Sequence, residues 1–244
     1  SMDAFFVNVH FKKEWMSVKQ IAYNSMIVNI SDAIVMNAKP LYALLSVAIP
    51  KNYTKKELEE LACGFKKAAN KFGIKIIGGD TIANQKLDIS VTIISKTLNP
   101  IFRNGVKKDD LLCYTGSLGS CKKDLEALFE NKEISNKSKF IKPKLKPKFF
   151  YEVAPFITAS MDISDGLFFE LERLSKASNV GFEFFDEISE DIGISGEEYE
   201  ILFSFDKKNL EEIEKIALKH KIKLTIFAKA VKGKYRTDAK NHHF

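Results

Sequence analysis

The sequence predicts an α+β fold in two domains, and three features of the chain support this prediction. Strands that alternate apolar and polar residues are more frequent than the continuous apolar runs of parallel sheets. Strand patterns and helix patterns are mixed along the chain, as in α+β proteins. The pattern restarts around Asn99-Pro100, so that the predicted domains are 1–98 and 99–244. A chain of 244 residues is long enough to bury two modest cores.

The composition narrows the class of protein. It is 45% hydrophobic and 29% charged, which is ordinary for a globular protein. No apolar run approaches the ~18 residues of a membrane span and no signal peptide opens the chain, so we expect no membrane partner. Cys63, Cys113 and Cys121 are odd in number and share no ligand spacing, which indicates reduced thiols in a cytoplasmic protein. The net charge of +6 suits anionic partners such as nucleotides or nucleic acid.

The chain opens on a predicted strand from Asp3 to Phe11. Because a domain rarely begins on a well-formed strand, we expect a segment upstream of it. His10 would lie on the same face of this strand as Asn8, where a histidine is more often structural than a ligand.

A buried helix is predicted next, from about Val18 to Ala38, and Pro40 should end it. The second half of this helix is apolar almost all round, which is typical of a helix inside a core. Asp32 is an exception on that surface. A buried carboxylate is costly unless it is paired or bound to a metal, so Asp32 is either a metal ligand or half of an ion pair.

The second helix and the strands around it carry clear local signals. Thr54 and Glu57 form a capping box, and Gly73 should end the helix. A strand from Ile74 to Ile77 then runs into Gly78-Gly79-Asp80-Thr81, and a further strand follows from Leu87 to Lys96. Paired glycines let a backbone approach a ligand closely, and an aspartate at the strand's end can reach a metal. A plain turn is the alternative.

Two segments of the second half have both a structural and a functional interpretation. Thr115 to Ser120 joins a strand to a helix through a glycine turn, but it lacks the lysine of a phosphate-binding loop. Lys142 to Phe150 is basic, with two prolines and two aromatic residues. A solvated loop explains this segment better than a nucleic-acid contact does, so no nucleic-acid partner is predicted.

The most informative motif is the segment from Met161 to Leu167, where a buried strand is followed by a helix. Asp162, Ser164 and Asp165 stand at this junction. The first N–H groups of a helix favour phosphate, and carboxylates bind the Mg²⁺ that binds phosphate. Helix capping by Asp162 is the structural alternative. Leu167 and Leu171 should face the core, with Glu170 and Arg173 on the opposite side of the helix.

A second acidic group precedes a predicted strand near residue 200. Tyr199 and Ile201 alternate on one face of this strand, which leaves Glu198 and Glu200 on the other. Three acids in this stretch, beginning with Glu197, indicate binding of a ligand or metal, with edge-strand charge as the alternative. Carboxylates from several distant elements beside glycine turns are typical of a multi-Mg²⁺ phosphoryl-transfer site.

The motifs taken in order resemble one known family. They read VNVHF, NISDAIVMNAKP, GGDT, RNG, TGSLG, DISDGL and GEEYEILF. This order resembles the thiamine-monophosphate kinases, which belong to the aminoimidazole-ribonucleotide-synthetase-like superfamily of ATP-using enzymes. The likeness extends from Asp3 to about Phe203, with weaker agreement at His243-Phe244.

The resemblance implies a fold, an activity and a set of site residues. It implies an N-terminal ATP- and Mg²⁺-binding domain whose sheet pairs across a homodimer, and a C-terminal α+β domain. It also implies direct transfer of the γ-phosphoryl group of ATP to thiamine monophosphate, with several Mg²⁺ ions. The implied metal ligands are Asp3, Asp32, Asp80, Asp162 and Asp165; the implied ATP contacts are Gly79, Asp80, Arg103 and Ser164; the implied thiamine monophosphate contacts are His10 and Glu197.

The sequence also departs from the family pattern. Val7 and Asn8 stand where the family has an acidic residue and a glycine, Asn37 replaces a glycine, and Glu198 replaces an aspartate. The stacking aromatic expected near Asn241 is not evident, and the family's upstream Gly-Asp-Asp loop is absent from this sequence. Two alternatives therefore stay open: a related ATP-using synthetase of the selenophosphate or purine type, and a catalytically inactive nucleotide-binding protein.

Overall fold

A computed structural model describes residues 1–239, which form two compact units. The first unit comprises Ser1–Ile34, Ala38–Leu98 and Ile141–Pro143. The second comprises Val35–Asn37, Asn99–Phe140 and residues 144–239 of the described chain. The predicted likeness at His243-Phe244, and the position near Asn241 where a stacking aromatic was expected, lie outside the described residues. Across residues 1–239, none of the helices combines the length and the apolar character needed to cross a bilayer.

The first unit is a four-stranded sheet with two long helices. Its elements are β1 (Met2–Phe6), α1 (Val18–Val35), β2 (Lys39–Pro50), α2 (Lys55–Phe72), β3 (Lys75–Asn84) and β4 (Asp88–Lys96). The strand order is β1-β4-β2-β3. The β2–β3 pair is parallel, whereas β4 is antiparallel to both β1 and β2. A parallel pair needs a crossover connection, which α2 supplies.

The residues of β4 alternate between buried and partly exposed positions. Ile89, Val91 and Ile93 of β4 alternate inward, and α1 is buried continuously from Ile21 to Ser31. The prediction of a buried first helix is therefore confirmed. The predicted helix end was wrong, because α1 stops at Val35 and Pro40 lies inside β2. Pro40 has no N–H to donate, and it stands next to an irregularity in the β2–β4 register.

Two predicted boundaries in the first unit were also wrong. β1 ends at Phe6, because Asn8 has a positive φ of 64° and the chain turns back to form a bridge between Val7 and Phe11. His10 therefore lies in a turn and not on a strand face. The Gly78–Thr81 segment is not a strand end either, since β3 continues through it to Asn84.

The capping box of α2 is confirmed. The Thr54 side chain accepts a hydrogen bond from the Glu57 N–H, and the Thr54 N–H donates to the Glu57 carboxylate at 2.8 Å. Gly73 ends the helix with a φ of 67°, as predicted. These interactions satisfy backbone groups that the helix itself leaves unpaired.

Replacing Thr54 by alanine should lower the free energy of unfolding by about 1 kcal/mol. The substitution removes the acceptor for the Glu57 N–H and leaves the exposed surroundings otherwise unchanged. Urea denaturation of the Thr54→Ala and Thr54→Ser variants measures the effect. Serine keeps the hydroxyl, so an equal loss in both variants would contradict this explanation.

The second unit is a five-stranded antiparallel sheet with helices. Its elements are β5 (Leu111–Thr115), α3 (Ser120–Phe129), α4 (Pro147–Val153), β6 (Ala159–Ile163), α5 (Leu167–Ser178), β7 (Gly181–Phe184), α6 (Glu190–Gly193), β8 (Glu200–Phe205), α7 (Leu210–His220) and β9 (Leu224–Val231). The strand order is β6-β8-β5-β9-β7. Leu167, Leu171 and Leu174 of α5 pack with Met161, Ile163 and Leu202 in one core cluster.

The basic segment from Lys142 to Phe150 is not a solvated loop. Its last four residues begin α4, and Phe149 and Phe150 are fully buried. Phe149 lies 6.5 Å from Phe203 of β8, measured between ring centroids. The prediction failed because it was based on the average composition of nine residues, which is dominated by prolines and lysines. An average does not show that two of the side chains, Phe149 and Phe150, are buried.

Candidate active site

The first unit holds the predicted residues Asp3, His10 and Asp32 on separate elements. Asp3 lies on the edge strand β1 opposite Val91. His10 Nδ1 accepts a hydrogen bond of 3.0 Å from the Phe6 N–H, which closes the turn after β1. Asp32 is half-buried in the last turns of α1. One turn earlier, Asn29 is fully buried, and its Oδ1 has no hydrogen-bond partner among the described residues.

Gly79 and Asp80 lie in the middle of β3, an edge strand whose residues are nearly all exposed. A side chain on Gly79 would overlap the carbonyl oxygen of Leu45 in the neighbouring strand. Gly79 is thus required by strand packing, whatever it binds. Asp80 is exposed, and its Oδ1 accepts a hydrogen bond of 2.8 Å from the Thr81 N–H.

In the second unit, Asp162 and Asp165 flank the connection between β6 and α5. Asp162 is only 4% exposed and lies near the end of β6, opposite Ile201 of β8. Ser164 and Asp165 follow in the loop before Leu167, where α5 begins. This strand-to-helix junction is the one that the sequence predicted.

Asp165 is ion-paired with Nη2 of Arg173 of α5, whose Nη1 donates to both carboxylate oxygens of Glu170. Glu170 was predicted on the outer side of α5, but it is fully buried. Its Oε1 accepts hydrogen bonds from the Asp165 N–H at 3.1 Å and from the Ser164 hydroxyl at 3.4 Å. Burial raises the pKa of Glu170, and the Arg173 guanidinium offsets part of this shift. Glu170 and Arg173 thereby hold the Ser164–Asp165 backbone in place.

A second loop, Gly196–Tyr199, packs directly against the loop that joins β6 to α5 and contains Ser164 and Asp165. The Glu197 N–H donates to the Ser164 carbonyl at 2.7 Å, and the Tyr199 N–H donates to the Ile163 carbonyl at 2.9 Å. A side chain on Gly196 would come within 2.8 Å of the Ser164 oxygen, so only glycine permits this close approach. The two loops therefore bring the predicted residues Ser164 and Glu197 together.

The Gly196–Tyr199 loop is strained. Glu197 and Tyr199 have positive φ values of 57° and 49°, a conformation that costs on the order of 1–3 kcal/mol for each non-glycine residue. The Tyr199 hydroxyl donates to Glu197 Oε2 at 3.0 Å and so orients the Glu197 carboxylate. The prediction that Tyr199 belongs to the strand was wrong, because β8 begins at Glu200.

Two of the three acids in this stretch, Glu198 and Glu200, are held in internal ion pairs. Glu198 Oε1 accepts hydrogen bonds from the N–H groups of Gly119 and Cys121, at 2.8 and 3.1 Å, and so caps the start of α3. Glu200 accepts from the Thr115 hydroxyl at 2.6 Å and pairs with Lys146. Because Glu198 occupies the helix start, the glycine turn before α3 is a structural element.

The backbone of Arg103 lies near the start of β6, whereas the two loops lie beyond its end. It begins a short 3-10 helix, Arg103–Gly105, whose last residue packs against the Thr158 carbonyl just before β6. Ser164 follows the other end of β6. The Ser178 hydroxyl donates to the Arg103 carbonyl at 2.9 Å, and the Arg103 side chain is exposed.

Within residues 1–239, we find no group of three or more His, Cys, Asp or Glu side chains that could together hold a metal ion. Mg²⁺ does not require such a cage, because it keeps several waters and binds one or two carboxylates plus substrate phosphates. Asp162 and Asp165 place two carboxylates at the β6–α5 junction. In the first unit, Asp32 lies one helical turn after Asn29, whose buried Oδ1 has no hydrogen-bond partner among the described residues. Carboxylate oxygens of this kind are ligands that Mg²⁺ accepts.

Comparison with known proteins shows which family this chain belongs to. The family model named "AIR synthase related protein, N-terminal domain" matches residues 1–97. A thiamine-monophosphate kinase of Nitrosopumilus maritimus is 31% identical over 83% of this chain and 71% of its own length. The chain belongs to the thiamine-monophosphate kinase family. A second member, from Pyrococcus horikoshii, is 30% identical over 82% of this chain and 70% of its own length.

A solved structure described as AaThiL complexed with AMPPCP and TMP has the same fold as this chain. Its TM-score is 0.87 at 22% identity, and the match covers 99% of this chain and 85% of that chain. The predicted α+β, aminoimidazole-ribonucleotide-synthetase-like fold is thereby confirmed, as is the resemblance to the thiamine-monophosphate kinase family.

Sequence reasoning missed the residues that support the two loops. Arg173 stands three positions after Glu170, a spacing typical of a helical ion pair, so its pairing could have been anticipated. Lys139 and Lys146 gave no such signal, because their partners Glu198 and Glu200 are more than fifty residues away.

Proposed function

We propose that this chain is a kinase that transfers the γ-phosphoryl group of ATP to thiamine monophosphate, giving thiamine diphosphate and ADP. One observation carries the proposal beyond family membership: the Glu197 N–H donates to the Ser164 carbonyl at 2.7 Å. Ser164 is the predicted ATP contact and Glu197 the predicted contact for thiamine monophosphate. Donor and acceptor of the phosphoryl group must meet within a few ångströms, which adjacent loops favour.

In the proposed reaction, an oxygen of the thiamine monophosphate phosphate attacks the γ-phosphorus in line. The bond between the γ-phosphorus and the β-phosphate bridging oxygen breaks, and ADP leaves with that electron pair. No general base is required, because the attacking phosphate oxygen is already ionised near neutral pH. Both reactants are anions, so the site must neutralise their repulsion.

The chain's own residues have distinct roles in this proposal. Asp3, Asp32, Asp80, Asp162 and Asp165 are the proposed holders of several Mg²⁺ ions, which would supply positive charge between the two phosphates. Gly79, Asp80, Arg103 and Ser164 bind ATP, with the Arg103 guanidinium against its phosphates. His10 and Glu197 bind thiamine monophosphate, and the Tyr199 hydroxyl fixes the orientation of the Glu197 carboxylate.

The proposal includes a homodimer formed through the N-terminal domain, residues 1–98, with 99–244 as the C-terminal α+β domain. Its support is the edge strand β3, which carries Ile76, Ile77 and Ile82 at 38–55% exposure. An apolar, unpaired edge strand favours addition of another strand. The three cysteines are unpaired thiols, in line with the proposed cytoplasmic location.

An ADP-release assay tests the proposed function. The purified protein is incubated with ATP and Mg²⁺, with and without thiamine monophosphate, and thiamine diphosphate is measured by chromatography. We expect ADP to form only when thiamine monophosphate is present, in equal amount to thiamine diphosphate. ADP release that is independent of thiamine monophosphate would favour a related synthetase, and nucleotide binding without turnover would favour an inactive protein.

A further inference from the structure

The Gly196–Tyr199 loop needs an anchor, because two of its residues adopt the left-handed conformation. Glu198 lies between them, and its side chain is completely buried. A buried carboxylate must be paired to remain charged. The contacts of Glu198 are therefore the place to look for an anchor of the loop that carries Glu197.

The Glu198 carboxylate is anchored at both oxygens. Its Oε1 accepts hydrogen bonds from two N–H groups at the start of α3 and from the Ser195 hydroxyl at 2.7 Å. Its Oε2 accepts a hydrogen bond of 2.6 Å from Lys139 Nζ and one of 3.4 Å from the Ser120 hydroxyl. Lys139 brings the positive charge that balances this carboxylate.

Lys139 belongs to the irregular segment between α3 and α4, and its side chain is 17% exposed. Its Nζ also lies 3.0 Å from Glu200 Oε1 and donates to the Ser117 carbonyl at 2.5 Å. Burial alone would lower the pKa of Lys139, but Glu200 and Glu198 raise it above the ordinary value. Lys139 is therefore charged at neutral pH and bridges the two glutamates on either side of Tyr199.

We propose that Lys139 is a positioning residue, which holds the Gly196–Tyr199 loop in its strained conformation through Glu198. The two glutamates that pair with Lys139, Glu198 and Glu200, are not among the proposed substrate contacts. Its effect passes from Glu198 to the adjacent Glu197, whose N–H binds the Ser164 carbonyl. The part of this inference that concerns substrate binding rests on the proposed function; the part that concerns loop order does not.

A purely stabilising role for Lys139 makes a different prediction. If the ion pair only strengthened the second unit, its loss would speed hydrogen exchange equally throughout that unit. If Lys139 positions the loop, its loss should open the loop selectively. The protected amides of Glu197 and Tyr199 report the loop, and the amide of Phe203, in the middle of β8, reports the sheet.

The experiment compares NMR-detected hydrogen exchange in the wild-type protein and in Lys139→Met. We expect the Glu197 and Tyr199 amides to exchange about tenfold faster relative to Phe203 in the variant, because a local opening exposes them without unfolding the sheet. Lys139→Arg, which keeps the charge, should restore most of the protection. Lys122→Met is the matched control, since Lys122 is 22% exposed and pairs with Glu126 and Asp191 instead.

An equal rise in exchange at Glu197, Tyr199 and Phe203 would overturn the proposal. Should Lys139→Met not fold, Lys139→Gln takes its place, because the amide still donates a hydrogen bond to Glu198. Failure of both variants to fold would also overturn it, since the pair would then support the whole unit.

Calorimetric titration of the same variants with thiamine monophosphate separates this inference from the proposed function. We expect the dissociation constant to rise about tenfold in Lys139→Met and to stay unchanged in Lys122→Met, since disorder of a binding loop weakens binding. No binding to the wild-type protein would contradict the proposed function, while the exchange result would still test the loop. Unchanged affinity in Lys139→Met would overturn the positioning role.

Discussion

Asp162→Asn is expected to lower the rate of phosphoryl transfer about 100-fold or more, because a metal ligand contributes several kcal/mol to charge neutralisation in the transition state. Asp162 is nearly fully buried at the end of β6. Asparagine has almost the same shape but no negative charge, so the packing of β6 against β8 should persist. Thermal denaturation should show a folded protein, while the ADP-release assay shows the loss.

The specificity of this loss is tested with Asp238→Asn. Asp238 is an exposed aspartate in the same unit, and its substitution makes the same change of charge. It should leave the rate within a factor of about two, as expected for a surface substitution. If Asp162→Asn kept wild-type activity, Asp162 could not be a metal ligand of the proposed reaction.

Gly79→Ala is expected to lower the free energy of unfolding by about 3 kcal/mol, mainly through overlap of the new methyl group with backbone. The Cβ would overlap the carbonyl oxygen of Leu45, and β2 and β3 would have to separate to relieve it. A backbone carbonyl in a strand pair cannot rotate away as a flexible side chain can. Urea denaturation, followed by circular dichroism, measures the change.

Gly78→Ala is a matched control one residue away. Gly78 and Gly79 have similar φ values, 158° and 144°, but a Cβ at Gly78 would meet only Leu44 Cδ2 at an ordinary 3.5 Å. Both substitutions carry the cost of the unusual φ, so their difference isolates the overlap. We expect Gly78→Ala to cost about 1 kcal/mol. Equal losses in the two variants would show that backbone conformation alone requires glycine here.

The second unit has two buried glutamates and two largely buried lysines at the base of the Gly196–Tyr199 loop. Lys139 and Lys146 balance Glu198 and Glu200 in number. Buried ion pairs add little net stability over apolar packing, so hydrophobic side chains could fill this space as well. A buried charged side chain differs from an apolar one, because it must be paired with a particular oppositely charged or hydrogen-bonding group. That requirement suits a loop whose conformation is strained.

Local signals in the sequence predicted the local structure well. The capping box at Thr54, the stop at Gly73 and the strand-to-helix junction at Asp162 all depend on residues within a few positions of one another. Boundaries set by distant partners were missed. The sequence predicted a strand through His10 and a strand end at Gly78, whereas the turn at Asn8 and the pairing of β3 with β2 decided otherwise.

The sequence by itself determined the α+β class, the family and the motifs that name the candidate residues, because periodicity, capping and motif order are written in neighbouring residues. The tertiary structure alone decided what each charge in the second unit does. It buried Glu170, and it paired Glu198 with Lys139 and Glu200 with Lys146. Whether a carboxylate binds a ligand or another side chain depends on which distant cation folding brings within about 3 Å, and no spacing along the chain records that distance.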